Sequence, residues 1–473
     1  MKKILFTVFV FTLWCLSSFA EVKLPSVIGS NMVLQQSSSA ALWGTASPGA
    51  QVTVSASWGA EASVKADKDG KWETSVATPC AGGPYEIIIS DGAAVKLENV
   101  LVGEVWFCGG QSNMEMPVCG FPGQPVTGAM DAILGAKPAV PIRIFRTERA
   151  YSYDEAADVT GSWELNSPQA VSQTSAVAYF FAARLQETLG VPVGIIQSCV
   201  SGSCIEAWLN RKTLTKEFHK DFDLEHLKKT GKSDKKTYRK DPGVLYNGMV
   251  AAIAPYTVKG MLWYQGESNV GRHEQYSRLF PAYVRMMREE FKAPDAPFYY
   301  VQIATYQKDK EDPLAWTLLR EVQKKALNDI PGSAMAVSID LGEARNYHYR
   351  DKNVVADRLA FLALQKTYGF GGFEAVSPEP VSVEFRDGKA FVQFDQAVSW
   401  EGQVSGMEIA GADKVFHPAK AKLAYKNKPI VVYSSKVKDP VAVRYCCKNY
   451  CVGNMYNNFG IPVAPFRSDD WKE

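Results

Sequence analysis

The sequence predicts an α/β fold, a parallel sheet between helices, with β-sandwich-like segments contributed by both ends of the chain. Three observations carry this expectation. Between residues 101 and 370, short apolar runs alternate with longer amphipathic stretches, as in parallel strands joined by helical crossovers. Residues 21–100 instead hold closely spaced runs of alternating apolar and polar residues, broken by Gly, Pro, Asn and Asp. The same texture returns after Gly371-Gly372.

The elements follow in chain order. Lys2 and Lys3, a largely apolar stretch from Ile4 to Leu16, and Ser18-Phe19-Ala20 predict an export signal over residues 1–20, cleaved near Ala20. The stretch is short of the ~20 apolar residues needed to span a membrane. The N-terminal β segment, 21–100, includes Gln51-Val52-Thr53-Val54, Tyr85-Glu86-Ile87-Ile88-Ile89 and a turn at Asp67-Lys68-Asp69-Gly70. In the central part, 101–370, expected strands are Val105–Cys108, Val193–Gln197, Gly260–Tyr264, Phe298–Ile303 and Ala334–Asp340. Expected helices cover 176–189, 273–292, 314–329 and 352–368. The last has Asp351 as N-cap and Gly369 as its stop. Residues 211–241 carry eleven Lys and Arg against six Asp and Glu, which predicts a charged, solvated insertion. The C-terminal β segment, 371–473, includes Val381–Phe385, Ala390–Phe394, Ile430–Tyr433 and Val441–Tyr445, and could pack with the N-terminal one as an accessory domain.

Composition limits the function. With 46% hydrophobic and 22% charged residues, the chain of 473 buries enough apolar surface to fold. Its net charge is 52 − 50 = +2, and loss of Lys2 and Lys3 leaves 50 against 50. Neither nucleic acid nor an anionic membrane is an expected partner, since both demand clustered positive charge. Nine cysteines, one of them in the leader, show no paired zinc-ligand spacing, so no metal is expected.

Chemistry is expected where strands end, because open parallel sheets bind ligands at their carboxyl edge. Cys108-Gly109-Gly110-Gln111-Ser112-Asn113-Met114 offers a sharp turn, a serine at a helix start and N–H groups for an oxyanion. Met114 stands where a G-x-S-x-G elbow has its second glycine, so an α/β-hydrolase elbow is disfavoured. Gly202 follows the Val193 strand, and Gln265, Glu267 and Asn269 follow the Gly260 strand. A serine nucleophile requires a base. Of five histidines, His219 and His226 lie in the charged insertion and His417 in the C-terminal β segment. His348, between a strand and a helix, is favoured over His273.

These motifs together resemble the sialate O-acetylesterase family of SGNH-type carbohydrate esterases. The similar stretches are Gly109–Met114, Ile205-Glu206-Ala207-Trp208, Leu245-Tyr246-Asn247-Gly248-Met249, Trp263–Asn269, the Asp340–His348 loop and Pro465-Phe466-Arg467. The resemblance implies a flavodoxin-like core, no cofactor, and hydrolysis of O-acetyl groups on a sugar or glycan. It assigns Ser112 as nucleophile and His348 as base, with oxyanion donors from the Ser112 and Gly202 N–H groups and from either Gln265 or Asn269. Related enzymes carry an Asp two or three residues before the histidine, where this chain has Asn346 and Arg345. Either a Ser–His dyad operates, with a backbone carbonyl orienting the imidazole, or Asp340, Glu343 or Asp351 supplies the carboxylate. O-acetylated sialic acid is the expected substrate; acetylated xylan or another plant polysaccharide is the rival. A rival of another class is a non-catalytic glycan-binding protein.

Overall fold

In the computed structural model, residues 22–232, 239–308, 312–423 and 429–471 are described. The expected export signal lies outside them, as do residues 233–238 of the charged insertion. The central sheet comprises β1 (Ala94–Gly110), β2 (Ile142–Arg146), β3 (Trp163–Leu165), β4 (Val193–Cys199), β5 (Gly260–Tyr264), β6 (Phe298–Val301) and β7 (Ser333–Ala336). Their spatial order is β7-β6-β5-β1-β4-β2-β3, with all neighbours parallel except β2 and β3. Taken alone, β1, β4, β5, β6 and β7 stand in the order 2-1-3-4-5, the flavodoxin-like arrangement, which β2 and β3 extend at one edge. β2 and β3 had no counterpart among the expected strands.

Each strand feeds two cores, because successive side chains point to opposite faces. Phe107, Met261, Trp263 and Tyr300 pack with Leu279, Phe280 and Tyr283 of α3 (His273–Glu290) and Leu319 of α4 (Ala315–Asp329). Their neighbours Trp106, Leu262, Tyr264 and Tyr299 pack with Phe181 and Leu185 of α2 (Ala176–Leu189) and with Val355, Leu359 and Leu362 of α5 (Lys352–Lys366). Burial on both faces is why these strands read as continuous apolar runs. α2 is closed at both ends: Ser175 Oγ accepts the Ala178 N–H at 3.1 Å, and Gly190 ends the helix in the left-handed region at φ 67°.

The two flanks are built differently. β1 runs unbroken through residue 100, pairing antiparallel with Gly82–Ser90 in its first half and parallel with β4 and β5 in its second. Val33–Gln35, Gln51–Ala56, Glu61–Lys65 and Gly82–Ser90 are thereby continuous with the central sheet, while Ser39–Thr45 and Lys71–Ala77 pair as a two-stranded sheet of their own. The C-terminal strands form two four-stranded sheets of their own, and among the described residues no sheet joins the two ends of the chain. The charged insertion is also not merely solvated: Leu214, Phe218 and Leu227 are buried in the larger core.

Candidate active site

The parallel strands end on one edge, and three loops there are tied to one another. After β1, the chain turns at Gly110, whose φ of 148° and closeness to the Tyr264 carbonyl (2.2 Å from any added Cβ) admit only glycine. Ser112 opens α1 (Ser112–Glu115) as its first helical residue, with Gln111 in the cap position. Its hydroxyl caps nothing and has no hydrogen-bond partner among the described residues, and its N–H is one of the orphan donors of a helix start. Glu115, one turn on, accepts the Ser201 N–H at 2.7 Å and the Ser201 hydroxyl, while its other oxygen takes Arg149 at 2.7 Å. It thereby pins the turn that carries Gly202, whose N–H also has no acceptor among the described residues.

The loop after β5 is arranged differently from expectation. Gln265 and Asn269 are both fully buried. Gln265 Nε2 donates to Ser203 O (3.1 Å) and Asn269 Oδ1 (2.7 Å), and Asn269 Nδ2 donates to Glu206 (3.0 Å). Both donors of Gln265 and one of the two on Asn269 are thus committed to holding this loop together and against residues 203–206.

His348 lies on the loop between β7 and α5, half-buried, and that loop is tied to the one bearing Ser112 through their neighbours. Asn113 Nδ2 donates to Tyr347 O at 3.1 Å and to Glu267 Oε1 at 2.5 Å, while Lys352 Nζ donates to Asn113 Oδ1 at 2.6 Å. The residue after the serine therefore holds the residue before the histidine. A second clamp comes from residues 121–127. Phe121 meets the imidazole edge-on at 5.1 Å, Gln124 Oε1 lies 2.7 Å from His348 Nδ1, and Thr127 N donates to Arg350 O at 3.0 Å. With Nδ1–H donated to Gln124, the neutral ring keeps Nε2 free as an acceptor.

None of the three candidate carboxylates meets the imidazole. Asp340 forms a buried two-pronged pair with Arg358 at 2.7 and 2.6 Å. Glu343 accepts from Asn346 Nδ2 (3.3 Å) and from the Arg350 N–H (3.2 Å), shaping its own loop. Asp351 occupies the cap position of α5 but makes no capping bond, because its carboxylate takes the Thr127 hydroxyl at 2.7 Å. Asn346 folds back on its own loop, accepting the His348 N–H at 3.0 Å and donating to the His348 carbonyl at 2.9 Å. The rival His273 starts α3 after the β5 loop and makes none of these contacts.

A family model for a carbohydrate esterase, sialic acid-specific acetylesterase, matches residues 102–360. The chain belongs to this family. Sialate O-acetylesterase from Mus musculus is 28% identical over 438 residues, covering 80% of each chain. The Homo sapiens protein of the same name is 29% identical over 397 residues, 76% of this chain and 73% of that one. A crystal structure of a carbohydrate acetylesterase from Xanthomonas citri is 34% identical and superposes with a TM-score of 0.85 over 95% of this chain and all of that one. The protein is accordingly a carbohydrate acetylesterase, and the reading as a non-catalytic glycan binder falls away.

The electrostatics of the candidate site in this acetylesterase follow from burial. Desolvation, reinforced by the nearby Lys352 cation, pushes the His348 imidazolium down to about 4 from its ordinary 6.5. Lys352 is itself fully buried, with its ammonium 3.7 Å from the centre of the Tyr349 ring; burial lowers it to about 7, against the pull of Glu267, Glu343 and Asp351. Burial raises Glu267. Sequence reasoning missed Asn113, Glu115, Gln124 and Lys352. Asn113 sits inside a motif already singled out; Gln124, in Phe121-Pro122-Gly123-Gln124-Pro125, carries no chemical signature of its own.

Asp340→Asn separates architecture from chemistry. Breaking a buried pair by removing one partner strands the Arg358 charge and should cost about 3 kcal/mol of stability. The folded fraction should keep its kcat. Thermal unfolding alongside active-site-titrated turnover checks this, and a stable but inactive mutant would return Asp340 to the catalytic machinery.

Proposed function

We propose that this acetylesterase removes O-acetyl groups from sialic acid outside the cytoplasm, on a flavodoxin-like SGNH-type core, with Ser112 as nucleophile and His348 as base. The observation that carries the catalytic assignment is the bond from Asn113 to Tyr347 O, which locks the two loops bearing Ser112 and His348 together. Ser112 Oγ attacks the acetyl carbonyl while His348 Nε2 accepts its proton; Gln124 orients the ring from the other nitrogen. The Ser112 and Gly202 N–H groups receive the oxyanion. His348 then protonates the departing sugar oxygen, and water, activated by the same imidazole, releases acetate.

The sialate assignment is supported by the family description and by the names of the mammalian relatives. Beside the site lies a cleft of about 610 Å³, lined by Glu115, Phe121, Arg146, Arg149, Gln173 and Gln197 among others. Phe121 is shared with the imidazole, and Arg149 remains half exposed although paired with Glu115. A guanidinium there suits a sugar carboxylate. Export is supported by the signal-like first twenty residues; no helix among the described residues is long and apolar enough to cross a membrane.

Acetate release from O-acetylated sialic acids and from acetylated xylo-oligosaccharides decides the substrate. The sialates should be preferred, and Arg149→Ala should raise their KM by roughly tenfold, the scale of one charge-assisted hydrogen bond, a larger rise than for neutral acetylated sugars, which feel only the loss of the Arg149–Glu115 pair. Preference for the xylo-oligosaccharides would replace the sialate reading without touching the catalytic one.

A further inference from the structure

Three cysteines crowd the last strand region, and the function leaves them unused. Cys446 and Cys447 follow the strand Ala442–Tyr445, and Cys451 closes the loop after them. Cys446 Sγ and Cys451 Sγ lie 2.9 Å apart, closer than two unbonded sulfur atoms pack. The backbone of Gly406 closes over both: a Cβ there would stand 2.2 Å from Cys451 Sγ and 2.9 Å from Cys446 Sγ. Cys447 faces elsewhere, its thiol donating to the Phe466 carbonyl at 3.1 Å. Cys446 is fully buried, whereas Cys451 is partly exposed and can be reached from solvent.

We infer that Cys446 and Cys451 are a disulfide site, closing residues 446–451 into a ring that braces the His348 loop. The loop they close is built for that task. Asn449 O accepts the Tyr306 N–H and the Thr305 hydroxyl, both at 3.0 Å, and Cys451 N donates to Thr305 Oγ1 at 2.5 Å. Asn449 Oδ1 also takes the Trp316 N–H at 3.1 Å at the start of α4. Tyr306 in turn stacks on Tyr347 at 3.7 Å between ring centres, one residue before His348. A covalent link at 446–451 thus reaches the imidazole through two packed layers.

The chemistry is thiol–disulfide exchange with an external disulfide, either a small molecule or an oxidoreductase. Cys451, the one reachable from solvent, is the attacking sulfur: a hydrogen bond from the Cys446 thiol, with Lys448 and Arg320 nearby, holds its thiol below the ordinary range. Its thiolate bonds to one sulfur of the donor and expels the other as a thiol. Cys446 then loses its proton and attacks the Cys451 sulfur of the mixed disulfide, releasing the second donor thiol. Two thiols lose two protons and two electrons, and one donor disulfide becomes two thiols.

The test uses the wild-type chain refolded in a glutathione redox buffer, alkylated without reduction and mapped by mass spectrometry. The expected result is a 446–451 peptide two mass units light, with Cys447 alkylated and Cys446 and Cys451 not. Full alkylation of all three, or a link through Cys447, overturns the inference. Mild reduction of the folded enzyme should lower the unfolding temperature by a few degrees and reduce kcat. The Cys446→Ser, Cys451→Ser double variant should match the reduced wild type and no longer respond to reductant. A reductant effect that persists in the double variant would also overturn it. None of these outcomes depends on which acetylated sugar is the substrate.

Discussion

Ser112→Ala should lower kcat/KM for acetyl esters by roughly 10⁴–10⁶-fold, the scale seen when a serine nucleophile is removed from a triad-type hydrolase. Stability should scarcely move, by about 0.5 kcal/mol or less. The hydroxyl caps no helix and bonds to no described residue, so its removal leaves no buried group unpaired. Ser112 is 8% exposed, and the loss of one oxygen there opens little space. Binding of substrate should survive, because the cleft lined by Phe121 and Arg149 is untouched. The measurement is acetate release together with thermal unfolding. A folded mutant with near wild-type turnover would remove Ser112 from the mechanism.

The second large effect is on pH dependence. A histidine with an acidic partner has its imidazolium stabilised and titrates higher than usual. Here the partner at Nδ1 is the neutral Gln124 amide, and burial pushes His348 down to about 4. An unperturbed imidazole would titrate near 6.5; burial beside Phe121 and the cation at Lys352 account for the difference. The acid limb of kcat/KM should therefore lie near pH 4, with the free base fully available at pH 6. Gln124→Glu places a carboxylate against Nδ1–H and should move that limb upward by a unit or more. The same depression bears on stability. Between pH 6.5 and 4 the unfolded chain takes up a proton that the folded histidine refuses, so this residue's contribution is present above 6.5 and lost as pH falls to about 4. A wild-type limb at or above 6.5 would mean that an acidic partner, or a different base, does the work.

What the sequence made legible was what local pattern dictates. Gly260–Tyr264 and Ala176–Leu189 emerge with the expected bounds, because apolar runs, caps and glycine stops act over a few residues. The Gly109–Met114 turn and the His348 loop were likewise visible as strand ends. The geometry between loops was not. Gln265 and Asn269 read as open donors, yet both face residues 203–206, a contact some sixty positions away in the chain. Asp340 read as the entry to a catalytic loop, yet α5 presents Arg358 to it eighteen residues later. Gln124 lies more than two hundred residues from the histidine it orients. Long-range polar pairing depends on the finished fold, and periodicity does not encode it.

The most direct test of the catalytic assignment labels the nucleophile itself. The wild-type enzyme is treated with a serine-directed organophosphonate, digested and mapped by mass spectrometry, with His348→Ala treated in parallel. The account predicts one adduct per chain, on the peptide carrying Ser112, formed in step with loss of activity and slowed strongly in His348→Ala. Inactivation with the adduct on any other residue, or labelling of Ser112 at an unchanged rate without His348, would contradict it.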